Sequence, residues 1–148
     1  MRAAKRMTEL RHESKPDRLP MAALLALASL PPEQSLPRGA EELLDACVDN
    51  WAALPAPYML RARIRGRTGP TRNSLLDCER ATRILRAELS RDPRDETSLA
   101  RLAAHLADHV RHCQAIGEPQ ERRALATMLA QLREVYPGDE RLEKLQVE

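Results

Sequence analysis

Phenylalanine is absent from the 148 residues, and the aromatic complement is Trp51, Tyr58 and Tyr136. Ile and Val together number only seven. Sheets are built from β-branched and aromatic side chains that fit a pleated, half-buried surface, so this composition argues against an all-β or doubly wound fold. Too few aromatics remain for a platform that stacks bases. Five glycines leave little for a phosphate-cradling loop, and neither GxxxxGK[ST] nor GxSxG occurs. Cys47, Cys78 and Cys113 are odd in number, far apart and in no CxxC pair, so no disulfide framework is expected and a cytoplasmic location is. No apolar run approaches the ~20 residues of a membrane span.

What is abundant is 23 Leu, 22 Ala and 21 Arg, residues that lose little side-chain entropy in a helix. The expectation is an all-α chain, long enough to bury roughly two-thirds of the surface its unfolded form exposes. The formal charge of +2 is too small to imply a nucleic-acid partner by itself, but it is unevenly spread. Residues 1–18 hold six Lys/Arg and are expected to form a flexible basic segment ahead of a helical domain over 19–148. Residues 19–56 hold five acids against one Arg, and 57–76 hold five Arg and no acid. The apolar stretch from Leu19 to Leu30 resembles a signal peptide in length. Three acids precede it, however, and it ends at Pro31-Pro32, so a buried helix is expected there.

Prolines close the apolar-periodic segments, because a proline cannot continue a helix without losing a hydrogen bond and clashing with the preceding turn. Leu44, Cys47, Val48 and Trp51 form one stripe at i, i+3, i+4, i+7. Leu75, Cys78, Thr82, Leu85 and Leu89 form a second. Leu99, Leu102, Ala103, Leu106, Val110 and Cys113 form a third, and Leu125, Met128, Leu129, Leu132 and Tyr136 a fourth. Asp95 is placed to cap the third stripe at its start and Gly117 to close it in a left-handed conformation. These signals predict helices near 20–30, 38–54, 57–66, 73–91, 95–116, 118–136 and 139–147. Grouped in pairs they make three antiparallel hairpins ending at Pro55, Pro93 and Pro137, in steps of 38 and 44 residues.

Ala81-x3-Leu85-x3-Leu89-x3-Pro93, followed by Arg94-Asp95, resembles the second-helix half of a tetratricopeptide repeat. Leu125-x3-Leu129-x2-Leu132 followed by Tyr136-Pro137-Gly138-Asp139 is similar one hairpin later. The large first-helix residues of that family are replaced here by Thr97, Ala100, Arg101 and Ala104, and the steps exceed the family's usual 34 or so residues. The resemblance implies a stacked-hairpin α-solenoid, with a compact irregular helical bundle as the alternative. It also implies a module that binds a peptide or helix in a groove lined by the first helix of each pair. Mapped onto 57–66 and 95–116, that groove presents Arg61, Arg65, Arg101, His105 and His109.

Arg61, Arg63, Arg65 and Arg67 recur at every second residue. In a strand they share one face, and in a helix they spread over two sides. They are candidate contacts for an acidic protein segment, since guanidinium forks match planar anions. The competing reading has them neutralise the acidic helix over 33–49. His105, His109 and His112 recur at i, i+4, i+7, a spacing used by zinc-binding helices. With no partner cysteine pair they are expected to be structural, and neither metal nor cofactor is expected. No carboxylate pair stands in an apolar setting that would tune it for acid–base work. The expected function is therefore non-enzymatic: an adaptor, chaperone-like accessory protein or small subunit that binds another protein. Self-association through 19–30 or 139–147 is a further expectation. The alternative is a nucleic-acid-associated accessory subunit that uses residues 61–72 on phosphates.

Overall fold

The computed structural model describes residues 20–147, so the expected basic segment at 1–18 lies outside the described residues. Within them the chain is all-helical, and seven helices pack against one another: α1 (Met21–Ala28), α2 (Ala40–Asn50), α3 (Pro55–Arg65), α4 (Arg72–Arg91), α5 (Glu96–Ile116), α6 (Pro119–Val135) and α7 (Glu140–Glu143). No helix among the described residues is long and apolar enough to cross a membrane.

Local chemistry sets the ends. Thr71 and Ser74 close a capping box at the head of α4: each side chain takes the other's backbone N–H, at 3.1 and 2.8 Å. Asp95 caps α5 by accepting from the Thr97 amide and the Ser98 hydroxyl. Asp139 accepts from the amides of Arg141 and Leu142 to start α7. Gly117 departs from expectation. Its φ is −68°, not left-handed, and the residue is required for space: a Cβ there would stand 2.5 Å from the Cys113 carbonyl oxygen. The last helix is also shorter than the 139–147 expected. Arg133 donates to the carbonyls of Leu142 and Leu145, and Gln114 to that of Gln146, so side chains satisfy groups that a longer helix would have used.

The helices do not pair off evenly. α3 lies against α4 and α4 against α5 over long stretches, with Ala62 of α3 and Ala81 of α4 fully buried. Such small residues let helix backbones approach closely. At the N-terminal end both α1 and α2 lean on α3, and Leu24, Leu27, Leu43, Leu44, Leu60 and Ile64 form one apolar cluster. The larger cluster joins α4, α5, α6 and α7 through Leu85, Leu102, Leu106, Leu129 and Leu142. Tyr136 at the end of α6 donates its hydroxyl proton to the Pro93 carbonyl at 2.8 Å, tying α6 to the turn between α4 and α5. Cys47, Cys78 and Cys113 are buried free thiols.

Leu102 is fully enclosed in the larger cluster, whereas Leu76 on the same pair of helices is 45 % exposed. Truncating Leu102 to alanine should destabilise the chain by about 2–5 kcal/mol, and Leu76→Ala by less than about 0.5 kcal/mol. Denaturant unfolding of both variants checks this, and equal losses would contradict the packing.

Candidate functional site

The alternating arginines lie on a helix, and the helix sorts them. Arg61 and Arg65, one turn apart on α3, face inward between α2 and α4. Arg61 donates through Nε and Nη2 to both oxygens of Asp77 at 2.9 and 2.7 Å, and through Nη1 to Asp45 at 3.0 Å. Arg65 reaches Asp77 at 3.4 Å, Glu41 at 3.2 Å and Asp45 at 3.3 Å. The arginines thus neutralise two acids of α2, as the competing sequence reading held, and also Asp77 of α4, which that reading did not include. Asp77 is only 4 % exposed. Leaving such a carboxylate without its partners costs roughly 3–5 kcal/mol, so its pairing with Arg61 and Arg65 is part of the packing. Arg63 points to solvent and Arg101 is half exposed, paired with Glu88 of α4 at 3.4 Å. Arg67 has its Nη1 buried with no hydrogen-bond partner among the described residues.

The histidines of α5 are likewise turned inward, each about 4 % exposed or less. This corrects the expectation that Arg61, Arg65, His105 and His109 line an open groove, because α5 is covered by α4 on one side and by α6 and α7 on others. His105 donates from Nε2 to the Cys78 carbonyl at 2.9 Å. His109 Nδ1 shares a 2.7 Å hydrogen bond with the Thr82 hydroxyl. His112 donates from Nδ1 to the Asp108 carbonyl at 2.8 Å. The i, i+4 pair of His105 and His109 has no common focus, since their partners differ. The side chains whose ligand atoms do converge are Cys78, Asp108 and His112.

An open cleft of about 580 Å3 lies elsewhere, between α4 and α6 with His109 of α5 at its base. Leu125, Met128 and Ala124 supply its apolar lining. Arg83 and Arg86 stand along the α4 rim, and neither forms an ion pair among the described residues. One end is closed by Glu79 and Glu121, a carboxylate pair that sequence reasoning missed because 42 residues separate the two (121 minus 79). Arg72 donates to Glu121 at 2.5 Å, and that bond holds the Glu121 carboxyl down at about 2. Burial, followed by a hydrogen bond shared with Glu121, pushes Glu79 up to about 7.

Compared with models of protein families, with characterised proteins and with solved structures, the chain matches none of them.

The buried imidazoles make folding sensitive to acid. Burial, with His105 and His112 alongside, pulls His109 down to about 4, and burial also lowers His105. Between about 4 and the ordinary histidine value of 6.5 His109 binds a proton only in the unfolded chain, and the lowered His105 acts in the same direction, so both make stability rise with pH. Glu79 acts in the opposite sense. From the ordinary 4.5 to about 7 it is protonated only in the folded chain, so its contribution falls as pH rises. His109 and Glu79 largely offset each other, and His105 tips the balance toward greater stability at higher pH. Stability measured by denaturant unfolding should therefore climb across that interval, and climb more steeply in Glu79→Gln. A flat or falling profile in the unaltered protein would contradict the neutral, buried histidines.

Proposed function

We propose that the protein is a non-enzymatic interaction module that binds an acidic segment of another protein in the cleft between α4 and α6. The observation that carries this reading is the pairing of an apolar lining, from Leu125 and Met128, with the guanidinium groups of Arg83 and Arg86, which form no ion pair among the described residues, above it. An apolar anchor of the partner would fill the floor, while carboxylates on either side of it accept charge-assisted hydrogen bonds from the rim. The resemblance to tetratricopeptide arrays supports the class of activity. The cleft, however, sits on the second helices of two successive pairs, α4 and α6, and not on the first.

The arginine-rich segment 61–72 supports a nucleic-acid partner less well. Arg61 and Arg65 are committed to Asp77, Asp45 and Glu41, and Arg72 to Glu121. A cytoplasmic adaptor or small subunit remains the setting that suits the three free thiols. Met21 and Leu25, one turn apart and exposed on α1, favour self-association through that helix as a secondary feature.

Selection of peptides from a displayed random library tests the cleft without knowledge of the natural partner. The unaltered protein should enrich sequences with Asp or Glu flanking a large apolar residue. Binding of the winners should fall at least about ten-fold in Arg83→Glu/Arg86→Glu and stay unchanged in Arg63→Glu, since each charged hydrogen bond is worth about 1.5–3 kcal/mol. Enrichment without acidic residues, or equal binding by the double variant, would overturn the assignment.

A further inference from the structure

We infer that the cleft between α4 and α6 takes its partner as an extended strand and not as a helix, with Gln120, Thr127 and Gln131 holding the partner's backbone. This deepens the reading of the cleft proposed above and rests on it. Gln120, Ala124, Thr127 and Gln131 all line the cleft and recur along α6 at i, i+4, i+7 and i+11, so they form one rim. All four are exposed, and none is charged. The charges of α6, Glu121 apart, stay out of the lining. An amide and hydroxyl rim therefore stands opposite the guanidinium rim of Arg83 and Arg86 on α4.

The dimensions exclude a helix from the interior of the cleft. From Gln120 to Gln131 the axis of α6 rises about 16 Å. A cleft of about 580 Å3 spread over that length has a mean cross-section of about 35 Å2. A helix with its side chains occupies roughly 80–110 Å2, whereas a strand, about 4.8 Å wide and ~10 Å deep, occupies about 48 Å2 with its outer edge left in solvent. A helix lying across the top would have to lower a stripe of apolar anchors at i, i+4 and i+7, over about 10 Å. The apolar lining of Ala124, Leu125 and Met128 covers a single turn of α6 and has room for one anchor.

Hydrogen bonding points the same way. A helix satisfies its own backbone, but an extended segment brings N–H and C=O groups that need partners. A carboxamide offers a donor and an acceptor at once, and a hydroxyl can act as either. The side chains of Gln120, Thr127 and Gln131 make no hydrogen bond among the described residues, so all three can pair with such a backbone. Charge spacing agrees. In a strand the residues on both sides of the anchor point away from the floor, about 6.6 Å apart, and Arg83 and Arg86, about 4.5 Å apart along α4, reach both. In a helix the two neighbours of the anchor diverge by about 100° each way, and one rim cannot meet both.

Selection from a displayed peptide library separates the strand from the reading it rests on. Enriched peptides should carry their acids immediately beside the apolar anchor. Calorimetric titration of the best of them into the full chain should show affinity lower by at least about five-fold in Gln120→Ala/Gln131→Ala, and unchanged in Arg63→Glu. Alanine keeps α6 helical, so the loss reports the missing amides. Circular dichroism should show no helix gained when peptide and protein combine. Acids enriched only at helical spacing from the anchor, helix gained on binding, or full affinity in the glutamine double variant would each overturn the strand. If Arg83→Glu/Arg86→Glu still costs about ten-fold in that event, the cleft reading survives without it. A library that enriches no acidic sequence would overturn both.

Discussion

Asp77 is the one buried carboxylate among the described residues, and the arrangement of α2, α3 and α4 follows from the need to pair it with cations there. A carboxylate removed from water demands close, well-aligned cations. Arg61 meets both of its oxygens, and Arg65 joins from the next turn of the same helix. This fixes the rotation of α3 about its axis. With Arg61 and Arg65 turned toward Asp77, Ala62 and Ile64 face the interior and Arg63 faces solvent. The outer sides of the same guanidinium groups then attract Asp45 and Glu41, which places α2. One buried charge thus ties α3 to α4 and, through the outer sides of its arginines, to α2.

The consequence for function is a division between two faces of α4. Asp77, Cys78 and Thr82 look toward α3 or α5 and are committed to the packing. Glu79, Arg83 and Arg86 look toward α6 and line the cleft. Recognition at the cleft and packing against α3 and α5 therefore concern different sides of the same helix. A change on the cleft rim should leave the packing undisturbed, whereas a change at Asp77 should disturb both.

Much of the architecture was legible in the sequence because its signals are local. Proline positions, the stripes at helical spacing and the cap at Asp95 act within a few residues, and the helices begin close to where these place them, although α2 stops at Asn50 and α7 at Glu143, short of the 54 and 147 expected. The position of Gly117 was legible but its reason was not, since the crowding comes from Cys113 one turn earlier and not from a left-handed backbone. Long-range pairings were hidden. Nothing near Asp77 in the chain indicates that it meets Arg61, and the every-second spacing of the arginines suggested a strand as readily as a helix. The histidines of α5 were expected to be structural. They are buried because three neighbouring helices cover a wider arc of α5 than one stripe implies. Glu79 and Glu121, or Cys78 and His112, come together only through the packing of α4 on its neighbours, and a single sequence carries no mark of either meeting.

A double-mutant cycle between Arg61 and Asp77 tests the central constraint most directly. Unfolding free energies of the unaltered chain, Arg61→Ala, Asp77→Ala and the double variant isolate the coupling between the two side chains. A coupling of roughly 2–3 kcal/mol, little weakened by added salt, is the result expected of a buried bidentate pair. A coupling below about 0.5 kcal/mol would show that α3 takes its place on α4 without this interaction, and the account of the fold built on Asp77 would be wrong.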